Sequence, residues 1–269
     1  MGWPGRCHRN NMIMGRKVLT AIFWTVVFLT ACSVKEDRDS CPCSLKLEFS
    51  CTDPDKIRYV DVAILSQSGY EWRDTVEYGR DDCIISVPRT DLNIMAWAGA
   101  EGFLDGETLT IPAGQDCPRV YMHDSEVRIE GETAQENVSL LKNHCVMTIM
   151  TKGDVDISSN LVIRGNVSGY DGHGVPLQGE FECTARNDVP DEGYVVVLPR
   201  QTDMSLILEI DDGSGNRKAF ALGKYIVSSG YDWNAAELED LTVTLDYALT
   251  EIRLMINGWD NVYEYDIEI

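Results

Sequence analysis

From residue 44 to the end of the chain, nearly every stretch with hydrophobic periodicity is short and alternates, and is set off by Gly, Pro, Asp and Ser. In the first half these are "SLKLEFS", "IRYVDVAIL", "DCIISVP", "LNIMAWAG", "TLTIP", "RVYMH" and "EVRIEGE". In the second they are "CVMTIMTKG", "LVIRGNVSGY", "FECTARN", "GYVVVLPR", "MSLILEI", "RKAFALGKYIVSS" and "LTVTLDYA". β-branched and aromatic residues with a period of two form half-buried strands, and strands this closely spaced, with turn residues between them, build sandwiches or barrels. The chain is therefore expected to be all-β. Its length suits two β-sandwiches in tandem better than one. The most polar stretch near the middle is "EGETAQEN", Glu130 to Asn137. The boundary is drawn there, giving an N-terminal sandwich over 44–131 and a C-terminal sandwich over 132–269. Asp212-Gly213-Ser214-Gly215-Asn216 reads as a hairpin loop. One helical signal interrupts the pattern: in "DWNAAELEDL" Asn234 could cap and Glu237 reach back, which predicts a turn or two of helix before the strand at Leu241.

The N-terminal 31 residues have a different character. Arg16 and Lys17 precede an apolar run from Val18 to Leu29. As a helix that run covers about 18 Å, short of the roughly 30 Å of a bilayer's hydrocarbon core. It reads as a signal peptide over 1–31, with Met12 and Met14 as alternative starts ahead of the basic pair. Leu29-Thr30-Ala31-Cys32 matches a bacterial lipobox, so Cys32 is expected to carry the lipid and begin the mature chain. Residues 32–43 then form a tether. Several acyl chains on one residue give stable anchoring without a membrane span. Lys35-Glu36-Asp37 resembles the signal that sends lipoproteins of Bacteroidota to the outer face of the outer membrane.

Charge and cysteine content narrow the possible functions. The chain has 23 Lys and Arg against 44 Asp and Glu, a net charge of −21. The leader takes away Arg6, Arg9, Arg16 and Lys17 but no acid, so the mature protein is more acidic still. Such a surface repels nucleic acid and anionic headgroups. Beyond Cys7 and Cys32 the mature chain has Cys41, Cys43, Cys51, Cys83, Cys117, Cys145 and Cys183, an odd number that cannot all pair internally. Cys41-Pro42-Cys43 is too tight for a zinc knuckle and lacks a partner pair, so no metal or other cofactor is expected.

Several pieces together carry a resemblance: "CSVKEDRDSCP", "LNIMAWAG", "LVIRGNVSGYDGHGVPL", "LPRQTDMSLILEI" and "INGWDNVYEYDIEI". Over Cys32 to Ile269 the chain resembles the FimB/Mfa-type fimbrial subunit family of Bacteroidales. That resemblance implies two transthyretin-like β-sandwich domains after a lipoprotein signal peptide, and no catalytic motif. It implies a lipid-anchored protein at the base of type V fimbriae that attaches the fibre to the cell outer membrane and limits its length. The partners implied are fimbrial stalk or accessory subunits. Lipidated Cys32, and Trp259 with the strand after it, are the positions that match.

Other chemistries find less support in the residues. Ser168, Asp171 and His173 lie together in "SGYDGHG", but a triad usually converges from separate loops, and the glycines mark this stretch as a turn. His123 and His144 have no ligand spacing, and "DDGSGN" lacks the alternating ligands of a calcium loop. Trp72, Trp97, Trp233 and Trp259 could form a platform for a surface glycan-binding lipoprotein, although large aromatics more often serve as core anchors. The final strand has two readings. In Val262 to Ile269, Tyr263, Tyr265, Ile267 and Ile269 alternate with acids. The segment is suited either to insertion into a partner subunit or to pairing in cis with "EIRLMING".

Overall fold

The structure is a computed structural model of the chain. It describes residues 41–80, 83–152, 160–187, 193–211, 217–246, 251–256 and 263–266. The signal peptide, Cys32 and most of the tether lie outside the described residues. Among the described residues the protein is all-β apart from one α-helix and a single 3-10 turn.

The first half contains β1 (Cys43–Cys51), β2 (Tyr59–Leu65), β3 (Glu71–Glu77), β4 (Cys83–Val87), β5 (Asp91–Ala98), β8 (Tyr121–Arg128) and β9 (Thr133–Lys142). A short hairpin of β6 (Leu104–Asp105) and β7 (Thr108–Thr110) lies between β5 and β8. The strand order is β3-β2-β5-β8-β9-β1-β4. β1 runs antiparallel to β4 and parallel to β9, the latter from Ser44↔Thr133 to Cys51↔Leu140. The division expected at 131/132 therefore falls ahead of β9, a strand bonded into the first sheet. The polar stretch misled because β9 alternates exposed polar residues with inward Val138 and Leu140. A half-solvated strand of that composition looks like a linker.

The second half contains β10 (His144–Lys152), β11 (Asn160–Tyr170), β12 (Pro176–Thr184), β13 (Tyr194–Pro199), β14 (Ile207–Asp211), β15 (Arg217–Phe220), helix α1 (Leu222–Ser228), β16 (Leu241–Asp246), β17 (Glu251–Ile256) and β18 (Tyr263–Asp266). Its strands repeat the plan of the first half. β10 is antiparallel to β13 and parallel to β16, as β1 is to β4 and β9. β11 pairs antiparallel with β12 and β14, and β14 with β15, as β2 pairs with β3 and β5, and β5 with β8. The segment 212–216, expected as a hairpin loop, lies outside the described residues, but β14 and β15 on either side pair antiparallel from Asp211↔Arg217 onward. Among the described residues β17 and β18 have no counterpart in the first half.

The two halves meet on β5. Leu92, Ile94, Ala96 and Ala98 face the core of the first sandwich. Met95 and Trp97, on the opposite face, belong to the core of the second half together with Ala63 of β2 and Met122 of β8. This double burial explains why "LNIMAWAG" is a continuous apolar run and does not alternate. The β6–β7 hairpin then reaches across to β11, pairing Leu109 with Tyr170 and Thr110 with Gly169. A Cβ on Gly169 would lie 2.0 Å from the Leu109 carbonyl oxygen, so this approach requires glycine.

The helix lies elsewhere than expected. Residues 233–237 form turns and bends. Asp232 Oδ1 accepts from the Asn234 N–H at 2.8 Å, and the Glu237 carboxylate accepts from Thr52 Oγ1 at 2.7 Å and from the Lys142 N–H at 3.4 Å in place of a helix N-terminus. Helix α1 instead occupies part of "RKAFALGKYIVSS", which had looked like strand. Leu222 and Ile226, four apart, are both buried, and Gly223 packs against the backbone of Met204 and Leu206. A short apolar run fits either period, and packing against 204–206 selects the helical one.

Candidate functional site

The segment expected to bind a partner lies at the end of a sheet ordered β13-β10-β16-β17-β18. β17 pairs antiparallel with β16 over Leu241↔Ile256 to Asp246↔Glu251. β18 adds outside it, Glu251↔Asp266 to Leu254↔Tyr263, so Tyr263 stands opposite Leu254 and Tyr265 opposite Ile252. The cis pairing with "EIRLMING" is thus formed over those four residue pairs. β18 is an edge strand, bonded among the described residues to β17 alone. Val262, Ile267 and Ile269 lie outside the described residues, as do Cys32 and Trp259.

Around the junction of the halves lies a polar cluster that the sequence did not single out. β9 and β10 are separated only by Asn143. Asp240 Oδ1 accepts from Lys142 Nζ at 2.6 Å and from the Val146 N–H at 2.8 Å. Arg200, just after β13, donates to Asn143 Oδ1 at 2.8 Å and to the carbonyls of Trp233 and Ala235 at 2.5 and 2.7 Å. The buried Tyr170 hydroxyl donates to the Asn143 carbonyl at 2.5 Å and accepts from the Arg200 N–H at 2.6 Å. Backbone groups at the junction that would otherwise be buried without partners are satisfied in this way. A single Arg or Asp in a loop leaves no periodic trace in a sequence, so nothing marked these residues beforehand.

The ionisable groups weighed for catalysis are occupied structurally. Asp171 accepts the backbone N–H groups of His173 and Val175, both at 2.9 Å, which fixes the turn between β11 and β12. His173 Nδ1 lies 3.0 Å from Asp124 of β8, and that hydrogen bond raises the imidazole pKa. His144 is 2% exposed with Nδ1 3.1 Å from the Val120 carbonyl. Burial pushes its pKa down to about 4, so the ring is neutral near pH 7. Cys117, Cys145 and Cys183 are free and buried, and burial holds all three thiols above the usual range, Cys145 at about 12. A thiol held protonated is a poor nucleophile and a poor metal ligand. Among the described residues no group of His, Cys, Asp and Glu is arranged to hold a metal ion. Trp97 and Trp233 are 1% and 5% exposed and sit in the core, and Trp72 is half-buried against the first core.

Fold and site together define an all-β protein of two sandwiches on one strand plan, with a polar cluster at the junction of the halves. That architecture is shared with solved structures from Bacteroidales. A candidate polysaccharide-binding protein from Bacteroides thetaiotaomicron matches with a TM-score of 0.65 at 14% identity, over 83% of this chain and 98% of that one. The fimbrial anchor protein Mfa2 from Porphyromonas gingivalis matches with a TM-score of 0.63 at 12% identity, over 84% of this chain and 100% of its own. A candidate adhesin from Bacteroides ovatus matches with a TM-score of 0.61 at 12% identity, over 84% and 96%. No protein-family model matches the chain, and no curated protein matches it.

Proposed function

We propose that this protein is an outer-membrane-anchored fimbrial anchor or assembly subunit. It attaches a type V fibre to the cell surface through the lipid on Cys32, limits fibre length, and works through strand contacts without catalysis. The observation that carries the reading is the end-to-end likeness to a fimbrial anchor protein: all of that chain is covered by 84% of this one. The lipobox at Leu29–Cys32 supports anchoring. The surface glycan-binding alternative is less well supported, because a stacking platform needs exposed aromatic faces and Trp97 and Trp233 are buried.

In this reading the terminal strand, Val262 to Ile269, is handed to the first stalk subunit. Its supports are the edge position of β18 and, among the described residues, the absence of a counterpart to β17–β18 in the first half. The role is tested by purifying the protein from detergent-solubilised outer membranes and identifying the chains that come with it. Stalk or accessory fimbrial subunits are expected. Co-purification of a glycan transporter in their place would favour the alternative. Deleting residues 262–269 tests donation: the truncated protein should stay folded and anchored while fibres are shed into the medium. A truncate that fails to accumulate refutes donation in favour of closure in cis.

A further inference from the structure

The repeated strand plan exposes a difference between the halves. In the second, the outer side of β16 is bonded to β17 along all six of its residues. The equivalent strand of the first half is β9, and its outer side meets β8 only at Tyr121↔Lys142 and Met122↔Leu141. Beyond that corner the strands part, and His123 fills the start of the gap with Nδ1 3.3 Å from the Ser139 carbonyl. Ser44 N donates to Glu132 O at 2.9 Å, and the parallel register with β1 is unbroken from Ser44↔Thr133 onward. Even-numbered residues of β9 therefore bond to β1, while the N–H and C=O of Thr133, Gln135 and Asn137 point away. Among the described residues no strand meets them on that side.

Free edges are normally blunted by charge, proline, bulges or brevity. β3 carries Glu71, Arg73, Asp74 and Glu77, β15 is four residues long with Arg217 and Lys218, and β12 pairs with shifts of register. β9 has ten residues, no proline, no shift of register, and no lysine before its last position. The single charge within its open stretch is Glu136, 3.9 Å from His123 Nε2. β8, β9 and the turn between them carry Asp124, Glu126, Glu130, Glu132 and Glu136 against Arg128, His123 and, at the paired corner, Lys142, which is bonded to Asp240. The rim of this gap is therefore acidic.

We propose that the open side of β9 docks an extended strand of another polypeptide bearing lysine or arginine, antiparallel to β9 as β17 is to β16. Backbone hydrogen bonds to Thr133, Gln135 and Asn137 supply the attachment, and the acidic rim selects the basic partner. The chain's own tail, "VYEYDIEI", carries acids at alternate positions and is the wrong occupant. The proposal is independent of tail donation.

The test uses the whole mature chain and three labelled eight-residue peptides: alternating Val-Lys, alternating Val-Glu, and "VYEYDIEI". The Val-Lys peptide is expected to bind at least about tenfold tighter than either acidic peptide and to weaken as salt rises. Bound, it should slow hydrogen exchange at the amides of Thr133, Gln135 and Asn137. Gln135→Pro removes an N–H that β1 does not use, so it should abolish binding with the melting temperature unchanged. Glu126→Gln, an exposed change that removes one rim charge, should weaken binding measurably and flatten its salt dependence. Equal binding of acidic and basic peptides, tighter binding of the tail, undiminished binding to a folded Gln135→Pro chain, or unaltered exchange at the three amides would each overturn the proposal.

Discussion

Replacing Arg200 with methionine keeps the packing of the side-chain stem and removes the guanidinium, which isolates the cluster at the junction of the halves. Three close acceptors lose a charged donor, Asn143 Oδ1 and the carbonyls of Trp233 and Ala235, and a long fourth contact at 3.5 Å to the Ala236 carbonyl goes with them. Hydrogen bonds to charged groups contribute about 1.5–3 kcal/mol each when fully buried. Arg200 is only half-buried, so water partly replaces it, and about 1 kcal/mol per bond is the reasonable figure. The expected loss is about 3 kcal/mol, or roughly 6–12 °C in melting temperature for a chain of this size. Thermal unfolding by circular dichroism reads the shift directly. A double-mutant cycle with Asn143→Ala should return a coupling of about 1 kcal/mol. A shift under about 2 °C together with a coupling near zero would show that the Arg200 guanidinium adds nothing to the junction, and would refute the reasoning.

Other consequences can be measured as directly. Cys32→Ala should abolish incorporation of a labelled fatty acid, and a variant that still takes up label would remove the anchor from the reading. Gly99 has φ of +73°, and a Cβ there would lie 2.2 Å from the Arg119 carbonyl. Gly99→Ala should accordingly cost at least about 2 kcal/mol in denaturant unfolding. His144 is held neutral with a pKa of about 4, whereas the unfolded chain protonates it near 6.5. The unfolded state binds the extra proton between those values, so stability should fall by up to about 3 kcal/mol as pH drops from about 6.5 to 4, with no further loss from this residue below that. Comparison with His144→Gln across the same window isolates the contribution, and two parallel profiles would contradict it.

What could be read from the residues, and what could not, follows from how each signal arises. Alternation along β1, β4 and β14 comes from having one wet face, and their placement as strands needed nothing more. β5 concealed its purpose, because burial on both faces looks the same whether the second covering is a sheet, a loop or another domain. β9 was read as a linker for the opposite reason: its inward residues are few and its outward ones polar. Leu222 and Ile226 satisfied the period of a strand as well as that of a helix until Gly223 docked on Met204. The junction cluster of Arg200, Tyr170, Asn143 and Asp240 depends on residues that converge from four places in the chain, and nothing local announces such a meeting.

The parallel pairing of β1 with β9, and of β10 with β16, has a mechanical consequence. In each half the strand by which the chain enters lies beside a strand near its exit, and both point the same way. A pull between the residue before Cys43 and the residue after Lys142 therefore drags β1 and β9 lengthwise past each other. All the bonds between Ser44↔Thr133 and Cys51↔Leu140 share that load at once, where an antiparallel hairpin pulled at its open end would unzip them one at a time. The same holds between His144 and Asp246 in the second half. Stretched between Cys43 and Asp246, the protein loads two shear clamps that follow one another along the chain with only Asn143 between β9 and β10.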